Sequence, residues 1–297
     1  MKIAAAAYPL DWFDTWSDYE AKLSRWVAEA AAEGARILVF PEYGAMELAS
    51  LGGREVAADQ DDCLREVARH KAASDALHLR LAAEHGVYIL GGSGPVIDPA
   101  IDAVRPLNRA TFYGPDGILG HQDKAMMTRW EREDWDIAPG RDVKLFDTPL
   151  GKIGVSICYD CEFPLLARRL AEAGAEILLV PSATEALAGF TRVRVGAMAR
   201  ALENQMVAVH APVVGQASWC AGMEANTGRA SVYGPPDRGF PPEGILAEGP
   251  LGEPGWVFAE VSLDAIRAVR ADGGVLNLSH WPEQIAPSET VIIINKA

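Results

Sequence analysis

Short apolar runs alternate with amphipathic stretches through the first two thirds of this 297-residue chain, and few architectures accept such an order. Ile3–Tyr8, Ile37–Phe40, Val87–Gly91, Glu176–Val180 and Met206–His210 have the length and character of buried strands. Between them lie helical patterns from about Tyr19 to Glu33, with Gly34 as a stop, and from about Asp61 to His85, ended by Gly86. Leu165–Ala173 and Phe190–Glu203 repeat that pattern. Two hairpins interrupt the alternation: Thr111–Tyr113 with Ile118–Gly120 across a Pro115-Asp116-Gly117 turn, and Lys144–Thr148 with Lys152–Ile157. After Ala230 the chain turns to short strands, Ala230–Tyr233, Gly244–Ala247 and Trp256–Val261. Strands covered by helices predict an α/β layered protein, and the hairpins predict a mixed sheet or two packed sheets.

With 49% hydrophobic residues the chain is able to bury a large core. No linker, charge block, low-complexity tract or repeat divides it, so a single domain over 1–297 is expected. A net charge of −14 and a pI near 4.9 argue against nucleic acid and against anionic membrane surfaces. No apolar run reaches the length of a membrane span. The apolar start, Met1 to Ala7, is short and interrupted by Tyr8-Pro9 and Asp11, so it reads as a first strand rather than a signal peptide. A cytoplasmic protein is expected. Four cysteines, Cys63, Cys158, Cys161 and Cys220, do not make a secreted disulfide framework at this length.

Three apolar runs lead into one polar residue each. Arg36-Ile37-Leu38-Val39-Phe40-Pro41 leads into Glu42, Gly117 to Asp123 leads into Lys124, and Ile153 to Ile157 leads into Cys158. Pro164 then marks a helix start, and a thiol between a strand end and a helix N-terminus is expected to favour the thiolate. A carboxylate, an ammonium and a thiol are the parts of a nucleophilic amide-bond hydrolase: a base, an oxyanion donor and a nucleophile. Taken singly, Glu42 also reads as a helix-capping carboxylate, Lys124 as a solvated strand-end lysine and Cys158 as an inert core thiol. Of the six histidines, His70, His78 and His85 fall on helical stretches. His121 and His210 leave a Cys–His dyad open, without a signature for it.

Phe40-Pro41-Glu42, Asp123-Lys124 and Ser156-Ile157-Cys158-Tyr159-Asp160 resemble the three motifs of the nitrilase superfamily of carbon–nitrogen hydrolases. The resemblance extends in order through Asn108-Arg109-Ala110, Val180-Pro181-Ser182-Ala183, Arg200 to Gln205 and Ala230 to Pro236, covering roughly residues 3 to 262. It implies a four-layer αββα sandwich with two mixed β-sheets, pairing into a homodimer or higher assembly. It also implies a Glu42–Lys124–Cys158 triad, with a second glutamate nearby. Arg129-Trp130-Glu131-Arg132-Glu133-Asp134-Trp135 offers Glu131 and Glu133, and the Pro139-Gly140 turn favours Glu133. The same resemblance puts substrate contacts at Tyr159, Tyr43, Thr184 and Trp130 and requires neither metal nor organic cofactor. Met126 stands where the family's lysine motif usually continues with histidine, and Cys161 is an extra thiol. Met126, Met127, Trp130 and Trp135 read as a pocket wall or a plain core patch.

Cys-Tyr-Asp followed by Phe163-Pro164 is similar to the amidase and ω-amidase branches, so the expected substrate is a small linear amide, with nitriles and N-carbamoyl amino acids as alternatives. From another class, Cys158-Tyr159-Asp160-Cys161 is a Cys-x-x-Cys, which leaves a redox pair or, with Cys220 or His210, a zinc site as competing readings. A scaffold that binds a partner without turnover is a further reading, against which the intact Glu42, Lys124 and Cys158 count.

Overall fold

The computed structural model describes residues 1–289 and 292–294. Its first half contributes β1 (Lys2–Pro9), β2 (Ala35–Val39), β3 (Tyr88–Leu90), β4 (Gly94–Asp98), β5 (Asp102–Gly114) and β6 (Gly117–Asp123). The second half adds β7 (Leu145–Thr148), β8 (Gly151–Val155), β9 (Ile177–Ser182) and β10 (Val207–Gln216). Four shorter strands follow: β11 (Ala225–Asn226), β12 (Ser231–Tyr233), β13 (Ile245–Glu248) and β14 (Gly255–Glu260). β1 runs parallel to β2 and β2 to β3, while β8, β9 and β10 are parallel to one another. The hairpins β5–β6 and β7–β8 are antiparallel, so the sheet is mixed.

Hydrogen bonding joins the strands along one curled path, β4-β5-β3-β2-β1-β10-β9-β8-β7, rather than in the two separate sheets expected. The join is short. β14 pairs with β1 from Lys2 to Ala7 and stops there, which leaves the edge at Tyr8 and Pro9 to take Val213 and Val214 of β10. On one face Ile3, Ala5 and Ala7 of β1 pack with Ile37, Val39, Ile153, Val155, Ile177 and Leu179. On the other, Ala4, Ala6 and Tyr8 meet Tyr19, Leu23, Trp26 and Val27 of the helix Trp16–Ala32, and Leu77 and Leu81 of the helix Lys71–His85. β1 is buried on both faces, which is why its sequence is a continuous small apolar run instead of an alternation.

Local chemistry accounts for most element ends. Thr15 and Asp18 form a reciprocal capping box at the start of the first helix, and Gly86 closes Lys71–His85 at φ +63°, a left-handed value glycine adopts at little cost. The single helix expected from Asp61 to His85 is two, Gln60–Arg69 and Lys71–His85. No glycine or proline marks the break. His70 sits there, stacked on Trp16 and bonded to Glu66, a tertiary arrangement that periodicity does not register. β4, which the sequence reading did not pick out, carries Pro95 and lies at the edge of the path, where a missing N–H is tolerated. The helix Leu263–Asp272, capped by Ser262, lies in a tail read only as strands and turns. Among the described residues, no helix is long and apolar enough to cross a membrane.

A buried ion pair ties the first helix to the strand ends. Lys22 Nζ, its side chain 4% exposed, donates to Glu47 Oε2 at 2.7 Å and to the Pro9 carbonyl at 2.6 Å. Tyr8 donates to the other Glu47 oxygen at 2.6 Å. Removing one partner strands a buried charge, so Lys22→Met is expected to lower unfolding free energy by about 3–5 kcal/mol in urea titrations. Arg65→Met, which breaks exposed contacts to Asp61 and Asp62, is expected to change it by less than about 1 kcal/mol.

Candidate active site

Carboxyl ends of parallel strands and the end of a hairpin converge on one cavity. Glu42 lies just past β2, Lys124 directly follows β6, Cys158 lies just past β8, and Ala183 directly follows β9. Lys124 Nζ donates to Glu42 Oε1 at 2.7 Å and to Glu131 Oε2 at 2.7 Å, all three side chains being at most 2% exposed. Glu42 accepts two further bonds, from Asn108 Nδ2 at 3.0 Å and from the Ala183 N–H at 2.9 Å. The Cys158 thiol shares the cavity wall with the Glu42 carboxylate, whose charge acts on it, and Cys158 Sγ lies 3.6 Å from the Ala183 carbonyl. The sequence thus brings Glu42, Lys124 and Cys158 together.

The structure places Glu131, and not the expected Glu133, against Lys124. Thr128 starts a five-residue helix, Arg129–Glu133, with a capping box in which Glu131 is the reciprocal partner. Two residues along a helix is about 200° of rotation, so Glu131 and Glu133 face opposite ways. Glu131 turns inward to Lys124, to the Thr128 N–H at 2.9 Å and to the Tyr43 hydroxyl at 2.7 Å. The Glu133 side chain is 56% exposed and pairs with Arg129 at 2.8 Å. The Pro139-Gly140 spacing did not separate them. The Thr128–Glu131 pair, a capping-box signature, was the usable signal.

Burial governs the charges. It pushes the Cys158 thiol well up, with the Glu42 charge adding to it and Lys124 opposing, which favours the thiol over the thiolate expected from a helix start. Pro164 does open the helix Pro164–Glu172, but Cys158 precedes it by a full short turn, Cys158–Glu162. Burial raises Glu42 against the pull of Lys124, and the neighbouring Glu131 charge raises it further. Burial disfavours the Lys124 ammonium, yet Glu131 and Glu42 more than offset that and hold it well above its ordinary value. Glu131 stays below its ordinary value because Lys124 and the Thr128 and Tyr43 donors outweigh burial.

Two residues that the sequence reading placed in motifs but gave no role hold this arrangement. Asn108 on β5 donates to Glu42 and accepts from Ser93 Oγ at 2.6 Å. Asp160, buried, accepts from the N–H groups of Ala125 at 3.1 Å, Met126 at 2.7 Å and Ile157 at 3.1 Å, stitching the lysine loop to the nucleophile turn. Burial pushes its carboxyl up to about 7 despite Lys124 and those three donors. Cys158 and Tyr43 are both left-handed, at φ +50° and +53°, a strain of order 1–3 kcal/mol each that the surrounding bonds maintain.

The cavity, about 430 Å³, is lined by Glu42, Lys124, Glu131 and Cys158 together with Tyr43, Tyr159, Thr184 and Trp130. Thr184 Oγ1 is committed to the Thr227 carbonyl at 2.8 Å. Trp130 passes over Gly222, at φ +76°, where a Cβ would come within 2.4 Å of the indole. Of the Met126, Met127, Trp130 and Trp135 group only Trp130 reaches the cavity, whereas Met127 and Trp135 are core. The Cys-x-x-Cys thiols part company: Cys161 is fully buried, 3.5 Å from the Val193 carbonyl and packed on Gly196. His210 is bonded to Ser182 at 2.7 Å, with burial lowering it to about 3, and neither it nor His121 lines the cavity. A zinc site needs several converging donors, and among the described residues no three His, Cys, Asp or Glu side chains are so grouped.

A model of the carbon-nitrogen hydrolase family matches residues 2–271. The chain is 30% identical over 279 residues to a probable hydrolase, YhcX, of Bacillus subtilis (strain 168), an overlap of 94% of this chain and 53% of that protein. It is 30% identical over 204 residues to omega-amidase NIT2-B of Xenopus laevis, 64% of this chain and 67% of the relative. This chain therefore spans only about half the length of YhcX. Among solved structures, a double mutant of the amidase from Nesterenkonia sp. AN1 in complex with acrylamide superposes with a TM-score of 0.69 at 20% identity, over 98% of this chain and 97% of that one. That likeness is one of fold. With a family model spanning nearly all of its length, this chain belongs to the carbon-nitrogen hydrolase family.

Proposed function

We propose that the protein is a thiol-dependent amidase that releases ammonia from a small linear amide through a Cys158 thioester. The observation that carries this reading is Lys124 held between Glu42 and Glu131 beside a buried thiol at the wall of a cavity. Glu42 removes the Cys158 proton as Sγ attacks the carbonyl carbon, which offsets the raised thiol pKa. Lys124 Nζ and the Tyr159 N–H hold the oxyanion, and a permanently charged ammonium suits that task. Glu42 then passes the proton to the leaving nitrogen, the C–N bond breaks, and ammonia departs. Water, deprotonated by the same carboxylate, attacks the thioester, and the thiol is regenerated as the acid leaves. Glu131 fixes Lys124, while Tyr43, Tyr159, Thr184 and Trp130 shape the space for the substrate. Supporting the amide over other carbon–nitrogen bonds is the omega-amidase relative. The same reading expects one domain with two sheet faces packed under outer helices, a four-layer form consistent with the packing of β1 and β2 on β8 and β9. It also expects a homodimer.

Cys158→Ala is expected to reduce ammonia release from a panel of amides, nitriles and N-carbamoyl amino acids by at least about 10³-fold. Cys161→Ala is expected to retain most of it, and the reverse ranking would relocate the nucleophile.

Glu131→Gln is expected to lower kcat by about 10²-fold, whereas Glu133→Gln stays within about twofold. The pH profile distinguishes the two further. Activity falls as pH drops through the Glu42 pKa, because a protonated base accepts no thiol proton. Burial first, and the Glu131 charge after it, raise that pKa. Neutralising residue 131 therefore shifts the acid limb of kcat/KM to lower pH, and an unmoved or upward-shifted limb contradicts the assignment.

A further inference from the structure

The mouth of the cavity carries charges that the hydrolysis itself does not use. Glu162 stands four residues beyond the nucleophile in the same short turn, and Glu185 and Glu224 also line the cavity. Against these three carboxylates the mouth sets one guanidinium, Arg192. Arg192 is 62% exposed and reaches Glu162 only at 3.6 Å, while the Glu162 side chain is 20% exposed. Burial pushes the Glu162 carboxyl above its ordinary value in spite of that arginine. Among the described residues Glu185 has no ion-pair partner, and Glu224 has none either, its carboxylate accepting the Gly222 N–H at 3.0 Å. At the inner end Lys124, paired with Glu42 and Glu131, serves the reacting carbonyl and adds no cation for the far end of a substrate.

Resting on the amidase reading, we propose that the mouth selects amides whose far end is a cation, an ammonium or guanidinium, and rejects those ending in a carboxylate. A substrate fixed with its amide at Cys158 in a cavity of about 430 Å³ places its far end within a Debye length, roughly 8–10 Å, of these carboxylates. Low-dielectric walls concentrate that field inside the cleft. A cationic tail meets Glu162 and supplies the counter-charge that Arg192 provides only at a distance. A carboxylate tail meets three like charges and must draw Arg192 away from Glu162.

The test compares δ-aminovaleramide, valeramide and glutaramate, amides of one chain length with cationic, neutral and anionic ends. The expected order of kcat/KM is the order given, with the first exceeding the last by at least about tenfold at low salt, mainly through KM, and with the gap narrowing as salt rises. Glu162→Gln is expected to reduce the δ-aminovaleramide to valeramide ratio by about threefold or more, and Glu162→Arg to favour glutaramate over δ-aminovaleramide. Glutaramate equal to or better than valeramide in the unaltered protein overturns the proposal, as does an unchanged ratio in Glu162→Gln. Failure of the amidase reading is seen separately, as no turnover of any of the three. Calorimetric titration of the amides into the protein then decides the preference alone: tighter binding of δ-aminovaleramide supports it, and equal, weaker or absent binding overturns it.

Discussion

An ammonium buried between two carboxylates is the interaction on which the site depends. Lys124, Glu42 and Glu131 are nearly inaccessible to water, and none of the three charges is tolerable there alone. Paired at 2.7 Å on both sides, Lys124 remains charged, and its two carboxylates settle on opposite sides of their ordinary titration range. Glu131 receives the most donors and stays ionised. Glu42 receives fewer and titrates higher, which is the property required of a group that both takes and returns a proton. Glu47 with Lys22 repeats the buried-pair device behind the sheet, where it locks the first helix to the end of β1 instead of serving a cavity.

Backbone carries the rest of the precision. Ala183 gives its N–H to Glu42 and presents its carbonyl to Cys158, so a single residue at the end of β9 orients the carboxylate and the thiol together. Asp160 joins the nucleophile turn to the lysine loop through three N–H groups. Those bonds oppose relaxation of the left-handed backbone at Cys158, and the Tyr43–Glu131 bond does the same for its neighbour. Strain at two residues is thus maintained by a network whose members come from several separate elements of the fold.

Legibility in the sequence followed the range of the interaction involved. Glu42, Lys124 and Cys158 were readable because each ends an apolar run, and local pattern alone places such a residue at a strand mouth. Glu131 was not separated from Glu133, because the choice rests on the rotation of a five-residue helix and on its cap at Thr128. Tertiary contacts likewise decided the break at His70. The thiolate expectation failed for a similar reason. Proximity to a helix start is local, while the desolvation that keeps Cys158 protonated is supplied by residues from across the fold.

Hydrophobic periodicity and the residues at its ends determined by themselves that this chain builds a helix-covered mixed sheet and delivers a carboxylate, an ammonium and a thiol to strand termini. Those are properties of a few adjacent residues, where side-chain alternation and turn chemistry act directly. Tertiary structure alone decided which glutamate faces the lysine, how β1 passes from β14 to β10, which cysteine lines the cavity and how each charge is compensated. The physical reason is that burial and Coulomb interaction depend on distance through space, and residues 42, 124, 131 and 158 become neighbours only after the strands have paired.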